Sequence, residues 1–139
     1  MGRHLLIPTD LSDKADRAAD TAHDLIGPGP TRVTLLHVIE TIPGASYEDF
    51  ESFYRELETR TESRLAALAA RLETWGFAVD QSIVYGEPAE EIVRFAMDQR
   101  VDLIIMTSHR IDPSQPGRGW STLSYRVGVL APCPVLLVK

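Results

Sequence analysis

Five short apolar runs organise the sequence, and the stretches between them carry helical periodicity. HLLIPT at 4–9 is continuous, ends at a proline and predicts a buried strand. Behind it Ala15, Ala18, Ala19, Ala22, Leu25 and Ile26 recur at helical spacing. Ser12 is the expected N-cap, with Asp13 and Asp16 in the first turn, where the helix dipole favours negative charge. Gly27-Pro28 stops this helix, whose alanine stripe lets it lie close against a sheet. RVTLLHVI at 32–39 is a second buried strand, followed by a loop with Pro43 and Gly44. Phe50, Phe53, Tyr54, Leu57, Leu65, Leu68, Leu72 and Trp75 then form one stripe over about seven turns, and Gly76 suits the position just past the helix end. Flanking strands make this a crossover helix rather than a coiled coil.

FAVDQSIV at 77–84 alternates apolar and polar positions, the pattern of a half-exposed edge strand. Gly86-Glu87-Pro88 turns the chain, and Pro88 opens a third helix, to about Arg100, with Glu90 and Glu91 in its first turn. VDLIIMT at 101–107 is the most apolar run and is expected to be central. The loop SHRIDPSQPGRG leads to a fourth helix over roughly 121–130, and PVLLVK at 134–139 closes the chain as a fifth strand. Strands alternating with helices predict an α/β fold: a parallel sheet, helices on both faces, right-handed crossovers. At 139 residues the chain is expected to form one domain, 1–139. Ligands of such sheets sit beyond the carboxyl ends of the strands, so 8–13, 38–47, 85–88 and 107–121 are the segments that matter.

Charge narrows the chemistry. Twenty Asp and Glu outnumber fourteen Lys and Arg, for a net charge of −6, which argues against general nucleic-acid binding. Residues 110–139 run the other way: Arg110, Arg118, Arg126 and Lys139 face only Asp112, a local field suited to a small anion. Cys133 is the single cysteine, so no disulfide framework exists. No apolar run approaches the ~18–20 residues of a membrane span, and the amino-terminal run is too short for a signal peptide. The expected location is the cytoplasm, without membrane contact.

Several chemistries are excluded by what the strand-end loops lack. The first turn is Pro8-Thr9-Asp10-Leu11-Ser12, without the glycines of a dinucleotide fingerprint, and no P-loop occurs. There is no Gly-x-Ser-x-Gly elbow, and His4, His23, His37 and His109 lack metal-ligand spacing. Asp10, where strand one meets helix one, either accepts hydrogen bonds from a nucleobase or ribose or serves as a turn and cap residue. His37, inside strand two, is expected to be a core histidine with its ring satisfied by hydrogen bonds. His109, in a loop after the fourth strand, is the stronger ligand candidate of the two.

Five pieces in order, LIPTDLSDKADRA, LLHVIE, YGEPAEEIVRFA, VDLIIMTSHR and STLSYRVGVLAPCPVLLVK, resemble the universal stress protein family over nearly the whole chain. The resemblance implies an open five-stranded parallel sheet of order 3-2-1-4-5, adenine nucleotide alpha hydrolase-like, and a homodimer. Some members bind ATP through Gly, two residues, Gly, nine residues, Gly, then Ser or Thr. Anchored on MTSHR and APCPV, the glycine positions fall on Thr107, Arg110 and Ser121, and only the hydroxyl residue, Thr122, is kept. The spacer 111–120 is ten long, and Gly117 and Gly119 lie out of register. Side chains at these positions obstruct the approach of backbone N–H groups to phosphates. The implied role is therefore stress response through contacts with a protein partner of unknown identity, with no enzyme activity, no useful ATP binding and no cofactor; slow ATP hydrolysis would belong only to the alternative reading. The alternative is a nucleotide- or anion-binding sensor with a remodelled phosphate loop, for ATP, AMP or a phosphate-like anion. Its ligand residues would be Pro8, Thr9, Asp10, Val38, Thr107, His109, Arg110, Arg118, Ser121 and Thr122, with Asp10 and Val38 near the base and Thr122 near the phosphates. The dimer would form through strand five, Pro134, Val135, Leu136, Leu137 and Val138, an apolar edge that needs covering.

Overall fold

A computed structural model describes residues 2–12, 14–41, 48–107 and 123–139. Five parallel strands, β1 (Arg3–Pro8), β2 (Thr31–Ile39), β3 (Ala78–Tyr85), β4 (Leu103–Thr107) and β5 (Val135–Val138), form one sheet in the order β3-β2-β1-β4-β5. That is the order the resemblance implies. β1 takes the middle position, and β4 lies inside the sheet between β1 and β5. β4 is flanked on both sides, which explains its continuous apolar run.

The pleat sends successive side chains to opposite faces, and the helices divide accordingly. Leu5, Ile7, Val33, Leu35 and Ile105 pack under α1 (Ala15–Thr21) and α2 (Glu51–Thr74) through Ala18, Ala19, Leu65, Leu68 and Leu72. Leu6, Leu36, Ile104 and Met106 pack under α3 (Pro88–Asp98) and α4 (Leu123–Leu130) through Ala89, Ile92, Ala96 and Val127. Each fully buried Leu or Ile contributes roughly 1.5–3 kcal/mol of transfer free energy. α1 continues as a single π-helical turn, Ala22–Ile26.

Local signals hold with three corrections. Ser12 lies outside helix α1 and is not its N-cap; Lys14 occupies that position. Ser12 still serves the helix start, its carbonyl accepting Ala15 N–H at 3.0 Å and its hydroxyl accepting Lys14 N–H at 3.3 Å. Phe50 and Phe53 leave the α2 stripe and are 40% and 50% exposed, because the buried face runs through Tyr54, Thr61, Leu65, Leu68 and Leu72. α3 ends at Asp98, not Arg100, and Arg100 takes a positive φ of 51° beyond it. Gly76 has φ 97°, the left-handed conformation expected past the end of α2.

Candidate functional site

From β1 the sheet extends through β2 and β3 to one side and through β4 and β5 to the other, so the strand order reverses beside β1. Helices cannot cover both directions at that point, and a crevice opens at the carboxyl ends of the strands. It holds about 280 Å³. Pro8, Thr9 and Asp10 line it from the end of β1 and the turn after it, Leu36, His37, Val38 and Glu40 from the end of β2 and just beyond, and Met106 and Thr107 from β4. Pro88 and Ile92 of α3 and Leu123 and Ser124 of α4 complete the wall. Five sequence candidates, Pro8, Thr9, Asp10, Val38 and Thr107, thus meet in one cavity. His109, Arg110, Arg118, Ser121 and Thr122, with the whole spacer, lie outside the described residues.

The β1–α1 turn is built to present Asp10. Thr9 N–H extends the ladder to the Leu36 carbonyl at 2.9 Å. The Thr9 hydroxyl accepts Leu11 N–H at 3.0 Å, and the Asp10 carboxylate accepts Ser12 N–H at 2.9 Å. Leu11 itself has φ 65°, a left-handed conformation that disfavours a side-chain-bearing residue by roughly 1–2 kcal/mol. Its side chain packs on the α1–α2 core. With Leu11 anchored there, Thr9 and Asp10 are left on the cavity side.

His37 departs from expectation. It is half-buried rather than a core residue and lines the cavity. The expected hydrogen bond is present: the Thr9 carbonyl accepts from Nδ1 at 2.7 Å. The neutral ring therefore carries its proton on Nδ1. Leu36, Glu40, Pro88, Ile92, Met106, Leu123 and Ser124 were not singled out in the sequence, although 38–47 and 85–88 fall among the strand-end segments that pointed here.

The rim between α3 and α4 is set by Glu87. Its carboxylate caps α3 by accepting Glu90 N–H at 2.9 Å and pairs with Arg126 of α4 at 2.6 Å. The Arg126 hydrogen bond holds the Glu87 carboxyl below its usual range, with the α3 amides adding to the effect. Capping by this side chain gives the α3 N-terminus its own anion.

Strand alternation sorts the β5 side chains. Leu136 and Val138 pack on the α1–α2 core and Val135 on the α3–α4 core. Leu137 is the exposed β5 side chain, at 38%, and Tyr125, Val129 and Leu130 of α4 are also exposed. β5 pairs only with β4 among the described residues. Those residues hold no cluster of His, Cys, Asp and Glu able to bind a metal, and no helix among them is long and apolar enough to cross a membrane.

A family model described as the universal stress protein family matches residues 1–139. A universal stress protein of Thermus aquaticus, encoded 3′ of a QAH/OAS sulfhydrylase, is 32% identical over 141 residues, covering all of both chains. The solved structure of MJ0577, a universal stress protein of Methanocaldococcus jannaschii, is 33% identical with a TM-score of 0.80, over 99% of this chain and 95% of that one. A family protein from Arabidopsis thaliana, solved with AMP bound, is 21% identical with a TM-score of 0.70, over 99% of this chain and 91% of that one, a likeness of fold.

Proposed function

Because the chain belongs to the universal stress protein family, we propose that it is a nucleotide-responsive member whose cavity takes the nucleoside end of a nucleotide, a monophosphate in preference to ATP. The observation that carries this reading is the cavity itself. Its 280 Å³ is at the small end of ligand pockets, which run from roughly 300 Å³ upward. Leu36, Val38, Ile92, Met106 and Leu123 supply apolar walls for a base, and Asp10 supplies an acceptor for sugar hydroxyls or base amines. Thr107 stands where the ATP motif has its first glycine, and the carboxylates of Asp10 and Glu40 add no attraction for a triphosphate. AMP, found in a neighbour of the same fold, is the first ligand to try.

Calorimetric titration with AMP and Mg-ATP tests this. AMP is expected to bind and, at roughly 100 times its Kd, to stabilise the protein by about 2.7 kcal/mol. Asp10→Ala should weaken it about tenfold or more. ATP binding tighter than AMP would overturn the monophosphate preference, and absence of binding by either would overturn the nucleotide reading.

The reading through protein contacts keeps one observation of its own, the exposed apolar side chains of Tyr125, Val129, Leu130 and Leu137 together with a β5 that pairs only with β4 among the described residues. A second copy of the chain, pairing β5 with β5 about a two-fold axis, would cover them. Light scattering is expected to give a dimer for wild type and a monomer for Leu137→Asp. A monomeric wild type would sink the dimer.

A further inference from the structure

We propose that Arg64 is a positioning residue for the cavity: from the outer face of α2 it holds Leu11 in its left-handed conformation and so fixes where the Asp10 carboxylate stands. This rests on the nucleotide reading for its ligand but not for its geometry. Arg64 Nη1–H donates to the Leu11 carbonyl at 2.8 Å, across 53 positions of sequence. On the other side of the same turn His37 Nδ1–H donates to the Thr9 carbonyl at 2.7 Å. Two carbonyls that bracket Asp10 are therefore each held by a side chain from a different element, one from the helix layer and one from the sheet. Leu11 has no intrinsic preference for φ 65°, so its surroundings must over-determine that conformation. The inward Leu11 side chain is one constraint and the Arg64 clamp is the other. Without the clamp the Leu11 carbonyl turns to solvent and the turn can relax. The Ser12 N–H bond to Asp10 would then no longer be held in register. Arg64 itself is exposed and does not line the cavity.

The test compares wild type with Arg64→Gln, Arg64→Lys and Leu11→Gly in two measurements, AMP affinity and amide hydrogen exchange at Leu11 and Ser12. Arg64→Gln is expected to weaken AMP about threefold to tenfold and to speed exchange at both amides, with Tm within about 2 °C of wild type. Arg64→Lys, which keeps a cationic donor, should restore most of both. Leu11→Gly removes the anchor and the steric preference together and should weaken AMP at least as much. Unchanged affinity in Arg64→Gln would overturn the proposal. So would a loss of affinity that merely follows a general loss of stability and is not rescued by lysine. If wild type binds no nucleotide, the functional reading fails while the clamp is still decided: equal exchange at Leu11 and Ser12 in wild type and Arg64→Gln overturns it.

Discussion

At the amino end of the sheet, His4 of β1 is 8% exposed and both ring nitrogens are engaged. Nδ1–H donates to the Gln99 carbonyl at 3.2 Å, and Nε2 accepts from the Thr34 hydroxyl at 2.7 Å. Its backbone is held as firmly, with His4 N–H on the Asp102 carboxylate at 2.7 Å and Asp102 N–H on the His4 carbonyl at 2.8 Å. At the carboxyl end, one strand away, His37 is half-buried, donates to the Thr9 carbonyl and borders a cavity. The same side chain is nearly buried and engaged at both ring nitrogens at one end of the sheet, and half-buried against a cavity at the other. The difference lies in how each ring is held: Gln99 and Thr34 engage the His4 ring and Asp102 its backbone, whereas the Thr9 carbonyl engages His37. A ligand site needs such a half-buried wall, and its turn is held by tethers such as the His37 bond to Thr9.

The largest effect should come from removing His4, the buried histidine of the amino end. His4→Ala leaves a cavity and strands the Thr34 hydroxyl and the Gln99 carbonyl, so unfolding in urea should show a loss of about 2–4 kcal/mol. AMP affinity of the folded variant should be unchanged. A loss of affinity without loss of stability would mean that the two ends are not independent.

The pH response should separate the ends next. Burial pushes the His4 pKa below its ordinary 6.5, with Arg32 adding to the push, while the Gln99 carbonyl, Asp80 and Asp102 oppose it. The Arg32 guanidinium lies against the ring, with Nη2 3.3 Å from Nε2, so a protonated ring would meet a second cation. A lowered folded pKa means that the unfolded chain binds the proton first. The contribution is complete above pH 6.5 and is lost as pH falls from there through the folded pKa. Tm should therefore drop between about pH 7.5 and 5.5, and the drop should shrink in His4→Gln. An identical drop in that variant would place the titration elsewhere.

The sheet was legible because each strand is a short run of continuous or alternating apolar residues, and its order followed from the resemblance. Pro8, Thr9, Asp10, Val38 and Thr107 were legible as a group for the same reason, since all sit at strand ends. What was not legible depends on tertiary cover. Nothing in RVTLLHVI tells which strand residues border a cavity rather than the core, so His37 read as core. Alternation divides Leu136 and Val138 from Leu137 but does not say which set faces the helices. Leu11 gives no sign of a left-handed backbone, because leucine does not favour one and the reason for it lies in α2. Glu87 is outside the usual capping residues, and its partner Arg126 lies 39 positions away.

The smallest effect should fall on that last pair. Glu87 and Arg126 join α3 to α4 at the cavity rim, but both side chains are well exposed, at 38% and 42%. Water screens such pairs, and ordering two long side chains offsets most of the attraction. Arg126→Gln should therefore move Tm by less than about 2 °C in low salt and by less still in high salt. Glu87 keeps its bond to Glu90 N–H in that variant, so α3 remains capped. Glu87→Ala removes the cap as well and should be the more destabilising of the two. If Arg126→Gln proved as costly as His4→Ala, the cavity end would be held by its ion pair rather than by lightly burdened tethers, and the contrast between a buried, fully hydrogen-bonded histidine and a half-buried, tethered one would fail.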